Sequence, residues 1–141
     1  MAIEQLKSAD EVALRDINAL LRQISSRLKE CSIELLDRII KSSETELWVV
    51  REETEIVGMA TLALVIRPEG VSARVEDLVI RDGERGKGYG TTLLKKLAER
   101  ARVRGASVVQ LTSNPSRTAA NALYKKLGFT LHETNSYYMK L

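Results

Sequence analysis

Between a mostly apolar run, Val71 to Ile80, and an amphipathic stretch ending near Arg104 stands the hexapeptide Arg85-Gly86-Lys87-Gly88-Tyr89-Gly90. This layout predicts a strand, a glycine-rich turn and the N-terminus of a helix. Three glycines in six residues let the backbone approach a ligand closely. The helix behind them turns unpaired N–H groups and the positive end of its dipole toward that ligand, so a phosphate-bearing molecule is the expected occupant. Beyond the turn, Leu93, Leu94, Leu97, Ala98 and Ala101 form one helical stripe, and Gly105 is placed to end the helix. Val108 to Thr112 reads as a buried strand. A strand, a helix and a strand in succession imply a crossover that leaves the two strands parallel.

The remaining segments extend this unit at both ends. Ile3 to Leu6 suggests a short strand, and Ser8 with Glu11 three residues later reads as a capping box. Val12, Leu14, Ile17, Leu20, Leu21 and Ile24 keep near-helical spacing, as do Ile33, Leu35, Leu36, Ile39 and Ile40, with Arg27 to Cys31 as the link. Leu47 to Val50 and Ile56 to Ile66 read as strands around a turn at residues 51–55. The second of them is apolar on both faces, which suits a central strand covered by helices on each side. Pro68-Glu69-Gly70 signals the next turn, so Val71 to Ile80 becomes the third strand of an antiparallel meander. Asn114-Pro115-Ser116 marks another turn and the start of a helix, with Pro115 or Ser116 near its cap, that runs to Leu127 before Gly128. Phe129 to Leu131 and Tyr137 to Leu141 are expected to complete the sheet.

At 141 residues the chain fits one domain, residues 1–141, able to bury roughly two thirds of its unfolded surface without staples. Cys31 is the single cysteine, so no internal disulfide can form, and a packed thiol in a reducing cytoplasm is the expectation. No signal peptide core is present, and no apolar run approaches the roughly 18 residues of a membrane span. The net charge of +3 is unevenly spread: residues 1–60 hold 8 basic and 12 acidic groups, whereas residues 81–104 hold 8 basic and 3 acidic. The basic excess either steers a polyanion or is a solvated helix face, the latter being the reading for Lys95, Lys96, Arg100, Arg102 and Arg104. Charge alone leaves nucleic acid open, but aromatics are only 4% and no nucleic-acid-binding motif appears, so no nucleic-acid or membrane partner is expected. His132 stands beside no plausible ligand set, and no metal is expected.

Two separated motifs resemble the GNAT superfamily of acetyl-CoA-dependent N-acetyltransferases. Arg85 to Gly90 is similar to that family's Arg/Gln-x-x-Gly-x-Gly/Ala, preceded here by Val75-Glu76-Asp77-Leu78-Val79-Ile80. Ala120-Asn121-Ala122-Leu123-Tyr124-Lys125-Lys126-Leu127-Gly128-Phe129 is similar to its Ala-x-x-Leu-Tyr-x-x-x-Gly-Phe. Other phosphate loops fit poorly. Gly-x-Gly-x-x-Gly would need glycine at Thr91, and the Walker pattern would need Ser or Thr after Gly86-Lys87, where Gly88 stands. The resemblance implies an α/β (α+β) GNAT fold: a mixed, mostly antiparallel sheet of six to seven strands with helices on both faces, ordered β-α-α-β-β-β-α-β-α-β-β.

It also implies a function and a set of site residues. The function is acetyl transfer from acetyl-CoA to a primary amine, first of a small molecule, with a protein N-terminus or lysine as alternative; a non-catalytic acetyl-CoA-binding sensor is the competing class. Arg85, Gly86, Lys87, Gly88, Tyr89, Gly90 and Thr91 would take the coenzyme's pyrophosphate, and Arg85 is otherwise a solvent-facing arginine. Backbone groups of Leu78, Val79 and Ile80 would meet the pantetheine arm, and an N–H of Leu78 or Val79 would polarise the thioester carbonyl. Tyr124 occupies the place of the family's general acid, where a phenol can protonate a departing thiolate; the competing reading packs it against Phe129. Glu76 is the general-base candidate. Strand alternation puts Arg74, Glu76, Leu78 and Ile80 on one face and Val75, Asp77 and Val79 on the other, and the Val-Glu-Asp-Leu-Val segment is similar to that of glucosamine-phosphate acetyltransferases. Equally, Glu76 could pair with Arg74 while water carries the proton. Asn114, Arg117 and Asn121 lie on the segment that the family folds against the coenzyme, though a cap and exposed helix polar groups are open readings. The amine is not legible, and the oligomeric state stays open between monomer and homodimer.

Overall fold

The computed structural model describes residues 1–141. Along the chain it reads β1 (Ala2–Gln5), α1 (Glu11–Ile24), α2 (Ile33–Lys41), β2 (Thr45–Glu52), β3 (Glu55–Arg67), β4 (Gly70–Ile80), α3 (Tyr89–Val103), β5 (Ala106–Gln110) and α4 (Thr118–Lys126). One sheet holds the strands in the order β1-β2-β3-β4-β5. The first three pairings are antiparallel and β4 to β5 is parallel, as the crossover predicted. The α/β architecture with helices on both faces is as expected, with five strands rather than six or seven.

The first two helices each start where a side chain can take an orphan N–H. Asp10 caps α1 by accepting from Ala13 N at 2.8 Å, so the expected Ser8–Glu11 box does not form; Ser8 donates to Asp10 instead. Ser32 caps α2 through Leu35 N at 3.1 Å. The buried stripe of α1 is Ala13, Ile17 and Leu20, while Val12 is exposed. Together with Leu36 of α2 it covers Leu47, Val49, Ile56, Met59 and Val79 on one sheet face. On the other face Leu93, Leu94, Leu97 and Ala101 of α3 pack on Trp48, Val50, Val57, Ala60, Leu62, Ala73 and Val75. These two layers explain why β3 is apolar on both sides.

Three register shifts interrupt the ladders, one of them between Val71 and Ala73 where β4 pairs β5, and the other two bear on the faces of β3 and β4. Val57 is the extra residue where β3 passes from Gly58↔Val50 to Ile56↔Arg51. In β4, Asp77 and Leu78 together oppose Ala60, because pairing jumps from Thr61↔Glu76 to Met59↔Val79, and Asp77 has φ 53°. A bulge of this kind moves every later side chain to the opposite face. Ala73 and Val75 point to the α3 layer before it; after it Leu78 and Ile80 pack there and Val79 points to the α1–α2 layer. The expected grouping of Glu76 with Leu78 and Ile80 is therefore corrected: Glu76 shares its face with Val79.

The C-terminal part departs further from expectation. The last strand is Ala106–Gln110, at the edge of the sheet with Val108 exposed, not a buried strand reaching Thr112. Arg117 is the N-cap of α4, one residue after Ser116, so the helix does start near the expected Pro115 or Ser116. Phe129 to Leu131 and Tyr137 to Leu141 form no strands. Their alternating pattern suits a strand, but no backbone hydrogen bond joins residues 130–141 to the sheet.

Candidate functional site

The glycine turn takes a backbone path that L-residues rarely adopt. Gly83, Gly86 and Gly88 have φ of 89°, 83° and 81°, a region that costs an L-residue roughly 1–2 kcal/mol. A Cβ on Gly86 or Gly88 would meet nothing, so conformation rather than space requires glycine there. Gly90 has no positive φ, and its Cβ would make an ordinary 3.7 Å contact with Ile80. Gly88 caps α3 without a side-chain bond, and the first turn of α3 holds no acidic residue. The N–H groups of Tyr89, Gly90 and Thr91 consequently have no backbone acceptor.

A cavity of about 280 Å³ gathers Ile80, Arg85, Gly86, Gly88, Tyr89, Gly90 and Thr91 of the expected set. Two further residues, Glu84 and Leu123, complete its lining. Lys87 is absent from it. Its ammonium pairs with Glu84 at 2.6 Å and lies 5.9 Å from the centre of the Tyr89 ring, facing a polar cleft beside Glu52, Glu53 and Glu55. These contacts raise the Lys87 pKa and lower that of Glu84, chiefly through their mutual hydrogen bond. Arg85 is mostly exposed and pairs with Asp82 at 3.3 Å.

The turn is braced from three other elements. Gln23, in the last turn of α1, donates to Ile80 O at 2.7 Å and accepts from Asp82 N at 2.8 Å, closing a two-point clamp around Arg81. Arg81 bonds Glu55 of β3 at 3.0 Å and Glu84 at 3.2 Å. The Tyr89 hydroxyl donates to Glu52 of β2, which raises the phenol's pKa. Gly58 supports the turn by its smallness: a Cβ there would come within 2.6 Å of Ile80 Cδ1. Sequence reasoning missed Gln23, Glu84 and Gly58, because each acts on residues far away in the chain or through a loop with no motif of its own.

The basic excess after the turn is largely committed to structure. Glu46, 4% exposed, accepts from Arg100 at 2.8 and 2.9 Å, from Arg104 at 2.5 Å and from Trp48 Nε1 at 2.9 Å. Burial pushes its carboxyl up, but Arg100, Trp48 and Arg104 outweigh burial and hold it at about 2. Arg100 and Arg104 are therefore anchors of α3, not the solvated face expected of them.

Pairing with β5 follows β4 only from Val71 to Arg74, so the edge of β4 from Val75 onward has no strand partner on that side. Leu78, Val79 and Ile80 lie on this open stretch, their side chains packed in the cores. Burial and the neighbouring Glu76 push the Asp77 carboxyl up at the bulge. Glu76 pairs with Arg74 at 3.0 Å and lies outside the cavity.

Tyr124 is 8% exposed within the α3-side core, with the Phe129 ring edge-on at 6.1 Å and 62°. Leu123, its neighbour in α4, reaches the cavity. Asn121 donates to Asn114 O at 3.0 Å and Arg117 O at 2.9 Å. Asn114 Oδ1 accepts from Ser116 N at 2.9 Å and Ser116 Oγ at 2.8 Å. Both asparagines thus brace the entry to α4, and neither they nor Arg117 line the cavity. Cys31 is half-buried and burial raises its thiol. No three His, Cys, Asp or Glu side chains gather as a metal-binding group, and no helix is long and apolar enough to cross a membrane.

The model of the acetyltransferase (GNAT) family matches residues 13–129. Among curated proteins the chain is similar to an L-methionine sulfoximine/L-methionine sulfone acetyltransferase of Pseudomonas paraeruginosa, 37% identical over 78 residues, 55% of this chain and 45% of that protein. It is also similar to an L-2,4-diaminobutyric acid acetyltransferase of Shouchella clausii, 30% identical over 87 residues, 62% of this chain and 48% of that protein. The match thus spans about half the length of these curated relatives. A solved Trypanosoma brucei acetyltransferase shares the fold at a TM-score of 0.80, with 23% identity and 99% of each chain covered.

Proposed function

The chain belongs to the acetyltransferase (GNAT) family, and on that premise we propose that it transfers an acetyl group from acetyl-CoA to a primary amine of a small molecule, with both substrates held at once. The observation that carries this reading is the cavity where the glycine turn, the start of α3, Ile80 and Leu123 of the Tyr124 helix meet. The residues suit the coenzyme. Unpaired N–H groups at Tyr89, Gly90 and Thr91 and the positive-φ glycines fit a pyrophosphate, and the open β4 edge offers backbone groups to an amide-bearing arm. When bound, acetyl-CoA supplies the activated acyl group as a thioester.

The chain's own groups then have definite tasks. Gly86 to Thr91 bind phosphate oxygens through backbone N–H, while Arg85 exchanges its Asp82 partner for phosphate. Leu78 or Val79 N–H polarises the carbonyl, preorganised by the bulge that precedes it. Tyr124 Oη holds the proton that the departing thiolate takes up. Glu76, freed from Arg74 or acting through water, takes the proton of the attacking amine. Asn114 and Asn121 position α4, and Arg117, at its exposed start, approaches the phosphates. This chemistry needs no metal. The names of the two curated relatives favour an amino-acid-like amine, and the acidic first 60 residues suit a cationic one. A single half-buried thiol suits a reducing cytoplasm.

Thiol release from acetyl-CoA across a panel of amino acids, diamines, aminoglycosides and peptides, alongside calorimetry of coenzyme binding, tests the proposal. Release with at least one small amine is expected. Release with peptides alone would reassign the acceptor to protein, and tight coenzyme binding without release on any amine would make the chain a binding module.

A further inference from the structure

The bulge in β4 puts polar groups of the chain on two different sides of the sheet. Tyr124 packs in the α3-side core, together with Leu78 and Ile80. Arg74 and Glu76 precede the bulge and point to the opposite face, the one that Val79 occupies farther along the strand. Between the two sides runs the open stretch of the β4 edge, which begins where pairing with β5 ends at Arg74. A thioester held along that edge has Tyr124 on one side and the Arg74–Glu76 pair on the other.

This ion pair is left half used. Arg74 Nε donates to Glu76 Oε1 at 3.0 Å, and that is the only hydrogen bond either side chain makes. Both terminal amino groups of the guanidinium and the second oxygen of the carboxylate are thus without a protein partner. The two side chains are 39% and 44% exposed, open to solvent yet fixed on one strand. Elsewhere such groups are consumed. Glu46 spends both oxygens on Arg100, Arg104 and Trp48, and Arg81 spends both terminal amino groups on Glu55 and Glu84. Nor do the neighbours across the ladders compete for the free groups by charge: Ala63 stands opposite Arg74 and Thr61 opposite Glu76 in β3, with Gln110 beside Arg74 in β5.

A free guanidinium edge beside a free carboxylate oxygen is complementary to a molecule that carries a carboxylate and an ammonium on one carbon. The carboxylate takes the two terminal amino groups of Arg74 as a bidentate pair, and the ammonium donates to Glu76 Oε2. We propose that Arg74 selects the acceptor, an α-amino acid bound through its carboxylate with its amino group on Glu76. This rests on the acetyl transfer proposed above. Glu76 takes one proton from the ammonium, the nitrogen bonds the acetyl carbon, the carbon–sulfur bond breaks and Tyr124 protonates the thiolate. The second proton leaving nitrogen restores Tyr124 through water, and Glu76 returns its own to solvent, so one proton is released per turnover.

Thiol release from acetyl-CoA by the full chain, compared between the standard L-α-amino acids, their carboxamides and simple diamines, tests the assignment. At least one amino acid should exceed its own carboxamide about 100-fold in kcat/KM, as a charged bidentate contact would give. Arg74→Met should bring the two within about threefold of each other, chiefly by raising KM for the amino acid, and Arg74→Lys, which keeps the charge without the fork, should restore part of the preference. Calorimetry of both variants should give the parent's affinity for the coenzyme. Equal rates for acid and carboxamide in the parent, a preference that survives Arg74→Met, or release with diamines alone each overturn the assignment while acetyl transfer stands. No release with any amine overturns both.

Discussion

The two helices that flank β5 are held in very different ways. Helix α3 buries Leu93, Leu94, Leu97 and Ala101 and ties its C-terminal end to Glu46 through Arg100 and Arg104. Its N-terminal end is fixed by a turn braced from α1, β2 and β3. Helix α4 buries Tyr124 alone, and its start is secured by short-range bonds among Asn114, Ser116, Arg117 and Asn121. The proposed phosphate holder therefore stands on the most anchored helix, and the proposed proton donor is itself the anchor of the least anchored one. Binding should be robust to changes in α4, whereas chemistry at Tyr124 should be separable from binding.

The largest expected effect tests the anchoring of α3. Arg100→Ala leaves a buried carboxylate with one guanidinium fewer and should lower unfolding free energy by about 3–5 kcal/mol in denaturant titrations. The same cluster sets a pH dependence. The Glu46 carboxyl is held at about 2 against an ordinary 4.5, so its contribution is full above pH 4.5 and is lost as pH falls toward 2. It is on the order of 3 kcal/mol. Glu46→Gln should flatten that acid limb; an unchanged limb would show that other carboxylates carry it.

Next in size is Tyr124→Phe, which keeps the ring contact with Phe129 and removes the hydroxyl. Turnover should fall about 100-fold with coenzyme affinity nearly unchanged. Equal losses in both would mean that α4 had shifted, and an unaltered rate would remove Tyr124 from the chemistry.

Gly88→Ala should raise the coenzyme dissociation constant about 10-fold, through the cost of φ 81° rather than through a clash. Calorimetry reads this directly. Gly90→Ala, lacking both positive φ and crowding, is the matched control and should bind within about twofold of the parent.

The smallest effect concerns the clamp on the turn. Gln23→Leu removes both bonds around Arg81 and should weaken coenzyme binding about five-fold, in line with about 1 kcal/mol for one net hydrogen bond. Turnover at saturating coenzyme should hold. A lower turnover with unchanged affinity would place Gln23 on the acceptor side instead.

Legibility followed the range over which each feature is specified. The glycine turn, the stripe of α3 and the doubly apolar β3 were plain, because periodicity and φ requirements are written in neighbouring residues. Val108 and the tail misled because alternation reports that a segment suits a strand, not that it is buried or paired in a sheet. The faces of β4 after Glu76 misled for a related reason. Asp77 adopts φ 53° at the bulge opposite Ala60, which cross-strand register sets, and one inserted residue inverts everything that follows.

By itself, then, the sequence determined the succession of elements as far as α4, the crossover with its glycine turn, and the pairing of that turn with a Leu-Tyr-x-x-x-Gly-Phe helix. These are local in the chain, and local chemistry suffices to specify them. Tertiary structure alone decided that Gln23 clamps residues 57 and 59 positions away, that Arg100 and Arg104 serve Glu46 rather than solvent, and that Glu76 faces away from Leu78 and Ile80. Hydrogen bonds between distant segments and cross-strand register depend on which surfaces packing brings together, and no spacing along the chain encodes that.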